Sequence, residues 1–234
     1  MPSPLAEAHI EAQRRLRAFT SNAVRRYWDD LPAYDRANVD EFLTRTVPTV
    51  IAAQRQSVAV TEAYIARYLR RQPLGINPEK LIGASVRNGT APEDVYQRPF
   101  VTLWTRLGDG SDYADAFSAA VTQAAGSAAM DVQLSMRATA NAVQEADAGI
   151  YGYSRVADGA ACLFCMEVDG AYVKSADAMP LHNNCGCGLE PLTAPHPRAA
   201  TLPSGVAVHQ HGELGPVLGD PAHNFTSAAD IPAL

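Results

Sequence analysis

Residues 5–27 read LAEAHIEAQRRLRAFTSNAVRRY. Within them Leu5, Ala8, Ala12, Leu16, Phe19, Ala23 and Tyr27 return every three or four positions, which on a helix draws one apolar stripe down one side. Pro32 closes the pattern, and together with Asp35 it marks a turn. A single stripe needs a partner. The next segment supplies one, because Val39, Phe42, Val47, Val50, Ile51, Val58, Ile65 and Leu69 keep the same period. Two antiparallel helices are therefore expected over residues 1–72. Pro48 lies inside the second pattern, where its missing N–H and its ring predict a kink or a break. Tyr64 and Tyr68, one turn apart, read as packing residues.

Beyond this hairpin the character of the chain changes. Residues 73–110 are punctuated by Pro73, Gly75, Pro78, Gly83, Gly89 and Pro92, and read as a connector with one short helix over Glu93–Leu107. Residues 111–149 are rich in Ala, Ser, Thr and Gln, with Tyr113, Phe117, Val121, Leu134 and Val143 as larger anchors. They predict one long helix of small residues, with Gly126 as the point of any break and Gly149 placed to end it. Residues 150–194 hold the cysteines. After Ala194 the composition turns to Pro, Gly, His and Ala without periodicity, so 195–234 read as a disordered tail. The expected class is mainly α: a helical hairpin and a long helix, then a small Cys/His hairpin region and an irregular tail.

Composition narrows the function. The chain has 234 residues, 47% hydrophobic, with a net charge of -6, which suits a packed core and argues against a general nucleic-acid binder. The charge is uneven. Residues 1–72 carry 11 basic and 8 acidic side chains, leaving 8 basic and 17 acidic for the remainder. Arg14, Arg15, Arg17, Arg25 and Arg26 thus make the first helix the basic end, a candidate contact for an acidic partner surface or packaged DNA, although a solvated helix face is the plainer account. No apolar run is long enough to span a bilayer, and the first residues lack the apolar core of a signal peptide, so synthesis in a cytoplasm is expected.

All four cysteines fall within Ala161–Pro191. Cys162 and Cys165 form a C-x-x-C pair, Cys185 and Cys187 form C-x-C, and His182 stands three positions before the second pair. Two close pairs about twenty residues apart suit a tetrahedral zinc site, since each short pair delivers two soft ligands to one ion. Five candidates compete for four positions: His182 with three thiolates, or four thiolates with His182 hydrogen-bonded outside them. Gly159, Gly170, Gly186 and Gly188 supply tight turns, and Met166–Lys174 reads as a small hairpin turning at Asp169–Gly170. Two disulfides in an oxidising setting are the main alternative. A redox C-x-x-C lacks its βαβ setting, and a zinc deaminase lacks its H-x-E. There is no H-E-x-x-H, Walker A loop, G-x-G-x-x-G or G-x-S-x-G. His196, His209, His211 and His223 lie in the expected tail and read as solvated, with weak metal binding by His209 and His211 as the alternative.

Arg155, Val156, Asp158, Gly159, Cys162 and Cys165, followed by His182, Cys185 and Cys187, form R-V-x-D-G-x-x-C-x-x-C and then H-N-N-C-G-C-G-L-E-P. This order resembles the C-terminal signature of MuF-like minor capsid proteins of tailed bacteriophages. That family often carries a basic residue where this chain has Gly186. The helical hairpin and the stretch APEDVYQRPFVTLWTRLGDG, with the small-residue helix after it, resemble the form found in phages of actinobacteria, so the resemblance covers residues 5–195. It implies a head morphogenesis protein inside the capsid near the portal, made in the bacterial host cytoplasm and partnered by portal, scaffold or major capsid protein, with no membrane. Some relatives are labelled capsid maturation proteases, and Ser154, Ser175 and Cys162 are then the conceivable nucleophiles near His182. Secreted toxins also carry such modules, fused to effector domains that the short tail does not match.

Overall fold

The computed structural model describes residues 2–158, 165–166, 168–181, 185–195 and 207–219. Four helices make up most of it: α1 (Pro4–Asp29), α2 (Arg36–Tyr68), α3 (Pro92–Gly108) and α4 (Tyr113–Ala146). Their starts are written in the sequence. Ser3 accepts from the Ala6 N–H ahead of Pro4, Asp35 accepts from the Ala37 and Asn38 N–H groups, and Asp112 accepts from the Asp115 N–H, so each satisfies donors that the first turn leaves over. α3 begins on Pro92 with Glu93 and Asp94 in its first turn, where the helix dipole favours negative charge.

α1 and α2 pair antiparallel, as Tyr27 meeting Thr49 and Gln13 meeting Ser57 establish. α4 packs against α1, α2 and α3. Ala116, Ala120, Ala124, Ala125 and Ala128 are buried along it, so the neighbouring helices come close. At this end Trp28 is fully buried among Tyr34, Phe42 and Phe100. α2 runs unbroken through Pro48, and α4 runs unbroken through Gly126. Pro48 lies on the exposed face, where the carbonyl that loses its partner meets water, which is why the helix survives it.

A three-stranded antiparallel sheet, ordered β2–β1–β3, covers the other end. It comprises β1 (Gly152–Val156), β2 (Tyr172–Val173) and β3 (Gly188–Leu192), with Tyr153 opposite Val173 and Arg155 opposite Leu189. Asp169–Gly170 does form a turn, with Gly170 at φ +74°, but Tyr172–Val173 pairs with β1 and not with a strand from Met166 onward. Within the stretch read as a tail, β4 (Ala207–His211) and β5 (Gly215–Gly219) form a hairpin that bridges Leu181 through Val217. One apolar core joins Tyr64, Ile65, Leu134 and Met136 of the helices to Tyr153, Cys165, Met179, Leu181, Cys185, Cys187, Leu189 and Val217.

The buried side of α1 is rotated from the stripe read in the sequence. Ala6, Ile10, Gln13, Arg17, Thr20, Val24 and Trp28 face inward, and Phe19 is 63% exposed. The inward face carries polar residues because α2 and α4 answer them. His9 Nε2 lies 3.2 Å from the Thr61 hydroxyl and 3.4 Å from the Gln13 amide nitrogen, the single Ser57 O–H is shared between the Gln13 amide oxygen and the Val132 carbonyl, and the His9 ring stacks on Tyr64 at 4.3 Å.

Burial holds the His9 imidazole neutral, down to a pKa of about 4. An unfolded chain takes up that proton near pH 6.5, so His9 leaves stability untouched above that pH and removes it progressively as pH falls toward 4, by up to about 3 kcal/mol. Urea unfolding at pH 7 and pH 4.5 measures this. The drop is expected to be smaller in His9→Phe, and an equal drop in both proteins refutes it.

Candidate metal centre

Cys165, Cys185 and Cys187 converge in the shared core. One sulfur from each lies within 4.8 Å of the other two, and all three residues are buried. Bonds of about 2.3 Å to a tetrahedral zinc place sulfurs about 3.8 Å apart, and the cluster is compatible with three positions of such a site. Cys162 and His182, the other two ligands expected from the sequence, lie outside the described residues, as do Gly159, His196 and His223.

Proximity and burial favour the protonated thiols at Cys165 and Cys187. Hydrogen bonding with Cys185 and Cys187, with burial added, raises Cys165 far above an ordinary thiol. Contact with Cys165 pulls Cys187 down, while contact with Cys185 and burial outweigh it and push Cys187 up to about 12. Three sulfurs so close cannot all ionise in an apolar core without compensation, and a divalent ion that displaces their protons supplies it.

Residues from three elements hold this loop. Arg17 of α1 donates to the Cys185 carbonyl at 2.6 Å and lies 3.6 Å from Asp158, and Gln133 of α4 donates to the Cys187 carbonyl at 2.7 Å. Arg155 of β1 donates through Nη2 to Cys165 Sγ at 3.2 Å and to Cys185 Sγ at 3.4 Å. The two glycines of C-G-C-G are required by close approach. A Cβ at Gly186 would collide with the Asp158 carboxylate and stand 2.8 Å from the Arg17 guanidinium, and one at Gly188 would collide with Ile10. Beside the last two cysteines, the Arg17 guanidinium also reaches the Gly186 carbonyl at 3.5 Å, across 169 positions of the chain.

The model of the VG15 protein family matches residues 2–203, from the N-cap of α1 through the cysteine region. The chain belongs to the VG15 family. No curated protein and no solved structure matches it. Membership makes this a phage protein associated with the virion. Among the described residues, no helix of this VG15 member is long and apolar enough to cross a membrane.

The other chemistry-bearing residues occupy varied places in the fold. His211 is buried, not solvated as its composition suggested, and its Nδ1 accepts from the Glu213 and Leu214 N–H groups to shape the β4–β5 turn. Ser154 is half-buried in β1, and Ser175 precedes the short turn Ala176–Ala178. Arg14 and Arg15 both pair with Glu11, while Arg25 and Arg26 stay exposed. Gln133 and Arg17 carried no sequence signal of a role at the cysteines. Arg155 did, as the first residue of the motif.

Proposed function

We propose that the protein is a minor capsid protein acting in phage head morphogenesis near the portal, and that its cysteine cluster is a structural zinc centre. The supporting observation is where the cluster sits. Cys165, Cys185 and Cys187 are sealed in the core that joins sheet to helices, with their loop tied to α1 and α4, a setting that suits a closed site that fixes a fold and not an open one that meets substrate. The MuF-like order of residues supports the head assignment.

When bound, the ion supplies a cross-link among chain segments 20 and more residues apart. Cys165, Cys185 and Cys187 hold it, with Cys162 or His182 as the fourth ligand, and Arg17 and Gln133 fasten the loop to the bundle. The helical surface is then presented to portal, scaffold or major capsid protein. With Arg14 and Arg15 sharing Glu11, the basic contact proposed for α1 falls to Arg25 and Arg26.

Heads assembled in the host, purified and quantified by mass spectrometry, test the assignment. Few copies per head are expected, fewer after Arg25→Gln with Arg26→Gln, and none after Cys185→Ser. Absence of the wild-type chain from heads overturns the minor capsid reading, and specific cleavage of scaffold or capsid protein on co-incubation would assign a maturation protease instead.

A further inference from the structure

We infer that Arg155 is the positioning residue of this metal centre: it aligns two of the ligand sulfurs and supplies the positive charge that lets the centre be buried. The inference rests on the metal reading of the cluster. Arg155 stands on β1, the central strand of its sheet, and is 2% exposed. Its Nη1 donates to the Pro180 carbonyl at 2.9 Å, and its Nη2 reaches Cys165 and Cys185. One nitrogen thus spans the two halves of the cysteine motif, at 3.2 and 3.4 Å, although those residues are twenty positions apart in the chain.

The guanidinium is placed by the sheet as well as by the sulfurs. The Arg155 N–H donates to the Ala171 carbonyl at 2.9 Å, its carbonyl accepts from the Gly170 N–H at 2.8 Å, and its position opposite Leu189 is set by the β1–β3 register. Three thiolates around one divalent ion leave a net negative charge of one with His182 as the fourth ligand, and of two with Cys162. Burying such a charge uncompensated is costly, and a guanidinium within hydrogen-bond reach of two sulfurs offsets it where it resides. Lysine substitutes only in part, because it keeps the charge but one ammonium on a flexible stem cannot meet the Pro180 carbonyl and both sulfurs at fixed angles.

The test compares the full chain with Arg155→Met and Arg155→Lys, using zinc and cobalt(II) as probes. Competition with a chromophoric chelator is expected to show zinc held about 10–100-fold more weakly by Arg155→Met, with part of the loss recovered in Arg155→Lys. The sulfur-to-cobalt charge-transfer band is expected to shift in both variants, which lost packing alone would not cause. Far-UV circular dichroism reports whether the helices are intact. If Arg155→Met does not fold, Arg155→Lys decides: a shifted band with weaker binding upholds the inference, and unchanged values overturn it. A wild-type chain that binds neither metal overturns the metal reading and this inference together. A wild-type chain that binds, with both variants unchanged in affinity and band, overturns the inference alone.

Discussion

Asp131→Ala is expected to lower the unfolding free energy by about 3–5 kcal/mol, the cost of stripping the partner from a buried charge. Asp131 of α4 accepts from Arg87 at 2.5 Å and from the Tyr96 hydroxyl at 2.6 Å, with the side chains of Arg87 and Asp131 2% and 4% exposed. Removing the carboxylate leaves the Arg87 guanidinium in the core beside Tyr96, with the Ser127 carbonyl at 3.4 Å and the Glu213 carboxylate at 3.3 Å as its remaining partners among the described residues. Glu213 is itself engaged by Arg98, so it cannot replace Asp131 without leaving that pair. The damage spreads across four elements, since this network ties the Gly83–Arg87 turn, α3, α4 and the β4–β5 turn together. Urea unfolding of the two proteins at neutral pH measures the difference. Asp131→Leu combined with Arg87→Met and Tyr96→Phe is expected to recover most of it, because an apolar replacement of a whole buried pair is close to neutral. A loss under about 1 kcal/mol for Asp131→Ala shows that the network is not closed as described.

Metal removal should have the larger effect on one end of the molecule. Structural zinc sites bind with about 10–16 kcal/mol in small zinc-dependent peptides at neutral pH, and here a part of that free energy is expected to appear as stability of the sheet end. Chelation, or Cys185→Ser, is expected to free the carbonyls that Arg17 and Gln133 hold, so that α1 and α4 lose their ties to the loop that leads into β3. The helical end, centred on Trp28, has its own packing and is expected to persist. Hydrogen exchange read by mass spectrometry distinguishes the two ends: β1, β3 and the first half of α1 should lose protection on chelation while α3 keeps it. Equal protection with and without chelator excludes a structural role for a metal.

The helices were legible because their signals are local. A period near 3.6, the turn at Pro32 and Asp35 and the Gly149 stop need no knowledge of the fold, and the caps at Ser3, Asp35 and Asp112 that start the helices are equally local. The phase of α1 was not, since Phe19 looks like a core residue and Gln13 and Thr20 do not. What reverses them is Ser57 and Thr61, more than forty positions away, which give Gln13 its partners. Of the five ligands read from spacing, Cys165, Cys185 and Cys187 converge, while Cys162 and His182 lie outside the described residues. The residues that hold the cluster were not legible, because Arg17 and Gln133 act on backbone carbonyls, and a carbonyl leaves no trace in composition. The β4–β5 hairpin was hidden for a similar reason: its turn depends on the His211 ring and on Arg98 and Arg87 reaching Glu213.

The most direct measurement is elemental analysis of the purified wild-type chain beside Cys185→Ser. About one zinc per chain in the first and almost none in the second is the predicted result for a single tetrahedral centre. No metal in a folded wild-type protein, with circular dichroism and melting unchanged by chelator, would contradict it.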